Sequence, residues 1–226
     1  MAMQNIIPGF VSTLKRFPVA ALASLLAWAY GEILVADSWS DAGWMNMWSL
    51  LAAFVAAGAG HLWAESRGFS KTNNLIVALA CGGLAGLIMF FHMGLHTSPW
   101  YFFAALILGL MLAPHLRKEA AQGAIWLFNL RLGLAVLLSG VVVLVVALGL
   151  IAVLNGLDFL LGISMPSSLS ERVVLFASLL VGPLFGLSLM PVDLDESVNL
   201  EDHRGTLVER GVSVLVNWIL APLALV

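Results

Sequence analysis

The chain has 226 residues, of which 61% are hydrophobic and 10% are charged, and its formal net charge is −3. Soluble domains typically contain about 25% charged residues, so this chain has too few polar side chains to coat a water-soluble core. Its ten basic residues are scattered, which excludes the basic stripe of a nucleic-acid-binding surface. The composition predicts a protein whose surroundings are the lipid bilayer.

Long apolar stretches follow one another along the whole chain. A helix needs about 20 predominantly apolar residues to cross the hydrocarbon layer of a bilayer. We therefore predict an all-α, multi-pass transmembrane bundle that forms a single domain over residues 1–226, with about seven spans. Their approximate bounds are 17–36, 46–64, 74–95, 99–115, 124–154, 172–190 and 210–226.

The fifth predicted span is unusually long. Residues 124–154 would form about 46 Å of helix at about 1.5 Å per residue, whereas the hydrocarbon layer is about 30 Å thick. We expect this helix to tilt or to project its first turns from the membrane. Residues 156–163 are expected to form a short turn or half-buried helix beyond it.

Basic residues lie in every second connection between the predicted spans. Lysine and arginine are retained on the cytoplasmic side of a bacterial inner membrane, so we predict that membrane as the location and a cytoplasmic N-terminus. Arg172, at the start of the sixth span, is the one basic residue near the opposite side. The residues that set the orientation are Lys15, Arg16, Arg67, Lys71, Arg117, Lys118, Arg204 and Arg210.

Glycines recur within three predicted spans at spacings typical of helix contacts in membranes. We interpret them first as packing sites, and we expect replacement of Gly86 by leucine to weaken the contact between spans two and three by about 1 kcal/mol or more. Pro183 removes a backbone donor and is expected to kink the sixth span, which makes Gly182, Pro183 and Gly186 a candidate hinge. The other glycines of the pattern are Gly82, Gly133, Gly140, Gly149 and Gly156.

Ionisable residues within spans are costly and are therefore candidates for function. Glu32 lies about one turn from the outer end of the first span, where it either reaches water at the surface or contributes to transport. Arg131 lies near the cytoplasmic start of the fifth span, beside Asn129. It is either an interfacial anchor, paired with lipid phosphate or with Glu119, or part of a functional polar site.

Asn155 and Asp158 form a further polar candidate near the end of the fifth span. Their i,i+3 spacing places both side chains on one helix face, and Arg172 is expected opposite them. The group either caps the turn between spans five and six or contacts a substrate.

Two pairs of histidines raise the question of a metal or a haem. His92 and His96 have i,i+4 spacing, which puts both imidazoles on one helix face and would suit a metal ion. His61 and His115 lie near the inner ends of their spans, at the matching depth that bis-histidine haem ligation would require. Nothing else in the sequence supports either site, so we predict no metal and no cofactor.

Four apolar segments of the second half carry a resemblance to a known family. They include an aromatic-x-x-Asn-x-x-Arg-like opening, formed by Trp126, Phe128, Asn129 and Arg131, and a Pro-Leu-Phe segment that ends in a Leu-Pro-like stop. The segments are AIWLFNLRLGLAVLLSG (124–140), LNGLDFLLGI (154–163), VGPLFGLSLMP (181–191) and VLVNWILAPLALV (214–226). The chain resembles domain-of-unknown-function family 4153, a family of bacterial inner-membrane proteins.

This resemblance is good over residues 124–226 and rests on hydropathy alone over the first 120 residues. It implies an architecture only, since the family has no established activity. Members of the family are usually longer, and this chain ends at Val226 within an apolar run. We therefore expect a fragment of a longer protein.

The sequence contains no G-x-S-x-G elbow, no H-E-x-x-H motif and no phosphate-binding glycine loop. We predict a non-enzymatic scaffold or subunit of a membrane assembly, whose partners are the lipid bilayer and either a membrane protein or a second copy. The alternative is a transporter of a small solute or lipid, and an enzyme acting on lipid-linked substrates ranks lower. A mid-membrane cavity lined by Asp158 or Arg131 would favour transport, and a solid bundle would favour a scaffold.

Overall fold

A computed structural model describes residues 12–36, 41–93, 99–116, 124–162 and 166–191. These residues are 93% helical and include no strand, so the predicted all-α fold is confirmed for them. The long helices are α1 (Pro18–Ala36), α2 (Asp41–Ser66), α3 (Lys71–Met93), α4 (Pro99–Leu112) and α5 (Ala124–Leu161). A 3₁₀ turn, Ala113–His115, follows α4. The last described span consists of α6 (Ser167–Leu175), the π-helical segment Phe176–Val181 and α7 (Gly182–Ser188), and is called the α6–α7 span below.

Five of these helical segments are long and apolar enough to cross a membrane. They correspond to the predicted spans one, two, three, five and six. The fourth predicted span is a shorter apolar helix, Pro99–His115. The seventh, 210–226, lies outside the described residues. The five crossing segments are Pro18–Ala36, Gly43–Ser66, Lys71–Phe91, Ile125–Leu160 and Ser168–Ser188.

The helix α2 lies at the centre of the bundle, in contact with α1, α3 and α4. In the most apolar stretch of α2, 50% of the residues are buried, whereas in the most apolar stretch of α5 only 6% are buried. One apolar cluster joins the starts of α1 and α5 to the ends of α2 and α7, through Phe17, Leu62, Phe128 and Leu187. A second cluster packs the later part of α1 against the start of α2 and the π-helical segment.

The contact between α2 and α3 depends on glycine. A Cβ atom at Gly82 would lie 3.0 Å from the carbonyl oxygen of Ala53 and 3.1 Å from the Cβ of Ala57. At Gly86 it would lie 3.3 Å from the carbonyl oxygen of Ser49. The two backbones therefore approach more closely than larger residues allow, and the predicted packing role of these two glycines is confirmed.

The same interpretation is wrong for α5 within the described part of the chain. Cβ atoms built at Gly133, Gly140, Gly149 and Gly156 would meet nothing within 4 Å. Glycine spacing indicates where another helix could approach closely, but it does not show whether another helix packs there. No atom of a neighbouring helix therefore lies within contact distance of these four glycines among the described residues.

The helix α5 also extends further than predicted, to Leu161 instead of residue 154. Gly156 does not interrupt it. The helix ends where Gly162 adopts a φ of +64°, the left-handed conformation that glycine takes at helix ends, with its N–H donating to the carbonyl oxygen of Asp158 at 2.9 Å. The turn or half-buried helix expected over residues 156–163 is therefore, as far as Leu161, a continuation of α5.

Candidate functional site

A cavity of about 580 Å³ lies between α2, α4, α5 and the α6–α7 span. Ligand sites in proteins typically measure about 300–1,000 Å³. Among the described residues, no charged side chain lines the cavity, and the lining is almost entirely apolar. Side chains that represent the contributing helices are Phe54, Leu110, Leu132, Val136 and Leu187.

Glycines create much of this space. Gly133 and Gly140 of α5 line the cavity, as do Gly182 and Gly186 of α7. A Cβ atom at Gly133 or Gly140 would enter open space, so larger residues there would occupy the cavity without displacing a neighbour. The glycine pattern in the first half of α5 thus marks a cavity wall instead of a helix contact.

Asn129 is the predicted polar candidate that the structure brings into this cavity. Its Oδ1 atom is buried and has no hydrogen-bond partner among the described residues. Asn129 also lines a surface pocket with Ile125, Trp126 and Leu130, and the Trp126 side chain is exposed. The amide therefore lies between the apolar interior and the surface of the bundle.

The other polar candidates of α5 do not line the cavity. Arg131 is half-buried, and its predicted partner Glu119 lies outside the described residues. Asn155 and Asp158 are exposed near the end of α5. Their spacing correctly places them on one face of their own helix, but the neighbouring helices pack on another face.

Arg172 pairs with Glu32, which corrects the predicted group of Arg172 with Asn155 and Asp158. The Nη1 atom of Arg172 donates to Oε2 of Glu32 at 2.8 Å. The pair ties the end of α1 to α6, because α6 packs against α1. It also gives a carboxylate partner to the one basic residue that the orientation prediction placed near the outer side.

The candidate hinge at Gly182 and Pro183 is held by two serine hydroxyls. Proline has no N–H, so Pro183 cannot donate to the carbonyl of Leu179, four residues earlier. The buried Ser24 hydroxyl of α1 donates to that carbonyl oxygen instead. The Ser139 hydroxyl of α5 donates to the carbonyl oxygen of Gly182. Backbone groups that a helix leaves unpaired in lipid need such partners.

Removal of either hydroxyl should destabilise the span. We expect Ser24→Ala and Ser139→Ala each to lower the free energy of unfolding in detergent by about 1 kcal/mol, as hydrogen bonds between membrane helices typically contribute. Ser178→Ala is the matched control, since its hydroxyl donates within its own helix to Val174. Thermal unfolding of the three variants measures this, and equal melting temperatures for all three would contradict the assignment.

Arg16 joins three parts of the bundle through its guanidinium group. Its Nε and Nη2 atoms donate to the two carboxylate oxygens of Glu65 at 3.1 and 2.8 Å. Its Nη1 and Nη2 atoms also donate to the carbonyl oxygens of Met190 and Pro191 at 3.1 and 2.7 Å. One side chain thus joins the start of α1, the end of α2 and the residues after α7.

The pattern of basic residues predicts a role in orientation only for Arg16. The signal for this junction is the pair of an arginine before one span and a carboxylate, Glu65, at the end of the next. Phe17 and Met190 flank Arg16 and line the cavity, so the junction fixes one end of the cavity wall. Arg67 makes a similar contact nearby, donating to the carbonyl oxygen of Leu116 at 2.6 Å.

The described histidines pack against aromatic rings. The ring centroids of His61 and Phe17 are 4.8 Å apart, and those of His115 and Phe128 are 5.4 Å apart. Over the ranges that the structure describes, no group of three or more metal-ligating side chains occurs. The side chain of His92 and all of His96 lie outside those ranges.

Comparison of the chain with protein-family models, curated proteins and solved structures finds no match. The resemblance to domain-of-unknown-function family 4153 stays a prediction.

Proposed function

We propose that the protein is a non-enzymatic, multi-pass protein of the bacterial inner membrane that holds a membrane lipid between its helices and transports it. The observation that carries this proposal is the 580 Å³ cavity between α2, α4, α5 and the α6–α7 span. Its volume is that of a ligand site, and its walls are apolar.

The chemistry of the walls favours a lipid over a small polar solute. A polar solute that leaves water loses hydrogen bonds that an apolar wall cannot replace, at a cost of about 2–7 kcal/mol per unpaired group. Neither Asp158 nor Arg131 lines the cavity, although one of them was expected there for transport of a small solute or a lipid. A hydrocarbon chain loses nothing on entering such a space.

The hinge residues support a role in transport. Gly182, Pro183 and Gly186 line the cavity directly, and the π-helical segment Phe176–Val181 precedes them. Single turns of π-helix occur frequently at functional sites. A change in the α6–α7 span at this point would alter the volume available to a ligand.

The proposed orientation has a cytoplasmic N-terminus. Arg16 and Arg67 lie at one end of the bundle, where they contact Glu65 and the Leu116 carbonyl. Arg172, which the orientation rule leaves on the outer side, has its charge paired with Glu32. The distribution of positive charge therefore supports the predicted orientation.

The cavity can be filled selectively to test lipid binding. We expect the purified protein to retain about one lipid per chain, Gly140→Leu to lose it, and Gly149→Leu to keep it. Both glycines lie on α5 with nothing within 4 Å, but Gly140 lines the cavity and Gly149 does not. Lipid extraction of the purified wild-type and variant proteins, followed by mass spectrometry, gives the number of lipid molecules per chain.

Three results would contradict the proposal. Lipid-free wild-type protein would show that the cavity takes no lipid, and equal lipid content in both variants would place the lipid elsewhere. Measured on delipidated protein, a large loss of stability in Gly140→Leu alone would show that another part of the chain fills the cavity, because a leucine in an empty cavity should leave the melting temperature unchanged or higher.

A second candidate function is a scaffold within a membrane assembly. The exposure of α5 supports this function. The helix is apolar and 38 residues long, and only 6% of the residues in its most apolar stretch are buried, so it offers a long surface to another helix. Mass photometry in nanodiscs distinguishes this function, because a scaffold would form a defined complex and a solitary carrier would remain a monomer.

A further inference from the structure

The polar atoms of the cavity lining define what kind of lipid it can recognise. Three lining residues have polar side chains: Asn129, Ser139 and Ser178. The Ser139 hydroxyl donates to the Gly182 carbonyl, and the Ser178 hydroxyl donates to the Val174 carbonyl. The Oδ1 atom of Asn129 is the buried side-chain atom of the lining that lacks a partner among the described residues.

An unpaired buried amide oxygen favours a ligand that carries a hydrogen-bond donor. Leaving such an atom unsatisfied costs about 1–3 kcal/mol, and a donor on the ligand recovers that cost. A phosphate diester offers acceptor oxygens and no donor, so it does not match Oδ1. An ammonium group has donors but would have to shed its hydration in a cavity without a counter-charge. An uncharged hydroxyl satisfies both requirements.

The dimensions of the site suit one hydrocarbon chain. The α5 lining runs from Asn129 past Gly133 and Gly140 to Val143, which is about 21 Å of helix at about 1.5 Å per residue. One leaflet accounts for about half of a hydrocarbon layer roughly 30 Å thick. A single lipid chain can therefore extend along the glycine side of α5 while its polar end stays at Asn129.

From this geometry, and resting on the proposed function, we propose that the cavity binds an uncharged lipid with a free hydroxyl, such as an acylglycerol or a long-chain alcohol. The hydroxyl donates to Oδ1 of Asn129, which is buried until the amide turns toward the cavity. The hydrocarbon chain lies along Gly133 and Gly140. The exposed Trp126 marks the side on which the polar end reaches the surface of the bundle.

Three probes with one oleoyl chain test the proposal on wild-type protein. They are 1-oleoylglycerol, which is neutral with hydroxyls, methyl oleate, which lacks a donor, and 1-oleoylglycerol 3-phosphate, which is charged. We expect 1-oleoylglycerol to bind about tenfold more tightly than methyl oleate, as one recovered hydrogen bond of about 1.4 kcal/mol gives. We expect it also to bind more tightly than 1-oleoylglycerol 3-phosphate, which keeps a hydroxyl but whose charge would have to shed its hydration. Native mass spectrometry of detergent-exchanged protein measures the three affinities.

Variants assign the selectivity to Asn129. Asn129→Leu should reduce the affinity for 1-oleoylglycerol to that for methyl oleate and leave the latter unchanged, while Asn155→Leu, on the same helix but outside the cavity, should retain the wild-type preference. Equal binding of all three probes to wild type, blocked by Gly140→Leu, would overturn the hydroxyl assignment and leave the proposed function intact. Tighter binding of the phosphate would also overturn it. Binding of none of the probes, together with lipid-free purified protein, would overturn both.

Discussion

Replacing Gly82 by leucine is expected to lower the free energy of unfolding in detergent by about 2–3 kcal/mol, the upper range for overpacking a close contact. The atoms that a side chain would meet are the Ala53 carbonyl oxygen at 3.0 Å and the Ala57 Cβ at 3.1 Å. The first is a backbone atom of α2, and the second is the first side-chain atom of an alanine in α2. Neither can rotate away, so α2 and α3 would have to separate.

Gly83 provides the matched control on the same turn of α3. A Cβ atom there meets nothing within 4 Å, and Gly83→Leu gains the same helix propensity of about 1 kcal/mol or less. Denaturant unfolding of the two variants isolates the contact, because the propensity cancels in the comparison. Similar stabilities for Gly82→Leu and Gly83→Leu would show that α2 and α3 do not pack in this way.

Replacing Arg16 by methionine is expected to lower the free energy of unfolding by about 2–3 kcal/mol. Breaking a fully buried ion pair costs about 3–5 kcal/mol, and the partial exposure of Arg16 and Glu65, 18% and 28%, reduces that value. The substitution leaves the Glu65 carboxylate without its partner. It also removes the donor to the Met190 and Pro191 carbonyls.

Arg172→Met is the matched control for Arg16→Met. Arg172 also pairs with one glutamate, Glu32, but through a single hydrogen bond and with 39% of its side chain exposed. We expect a loss of about 1 kcal/mol or less there. The double variant Arg16→Met with Glu65→Met should recover part of the loss, because it removes the uncompensated charge. Equal losses at Arg16 and Arg172 would show that the junction after α7 contributes nothing.

The positions of the helices could be predicted from the sequence because lipid leaves an apolar run few alternatives. Each unpaired backbone group costs several kcal/mol in hydrocarbon, so a long apolar segment folds as a helix. The residues at which the helices end were less predictable. The helix α5 passes through Gly156 and ends at Gly162, and the choice between two glycines is decided by backbone conformation, which hydropathy does not encode.

The candidate site was predicted only in part. Asn129 and the Gly182–Pro183 region were singled out, and both line the cavity. Ser24 and Ser139 were missed, because one serine changes the mean hydropathy of a whole span very little. The available signal was Pro183, which requires a donor from elsewhere for the carbonyl four residues before it. Periodicity placed Asn155 and Asp158 on one face, but it could not show that this face is exposed.

The lipid surroundings and the orientation of the bundle are tested most directly by the accessibility of three cysteines to a membrane-impermeant maleimide in spheroplasts, each placed in a Cys81→Ala background. The positions are exposed in the bundle: Lys71 at the start of α3, Val145 within α5 and Asp158 near its end. We predict labelling of Asp158→Cys in intact spheroplasts, of Lys71→Cys only after they are opened, and of Val145→Cys only after denaturation. Labelling of Val145→Cys in the native protein would contradict a bundle surrounded by lipid. Labelling of Lys71→Cys in intact spheroplasts, and of Asp158→Cys only after they are opened, would contradict the predicted orientation.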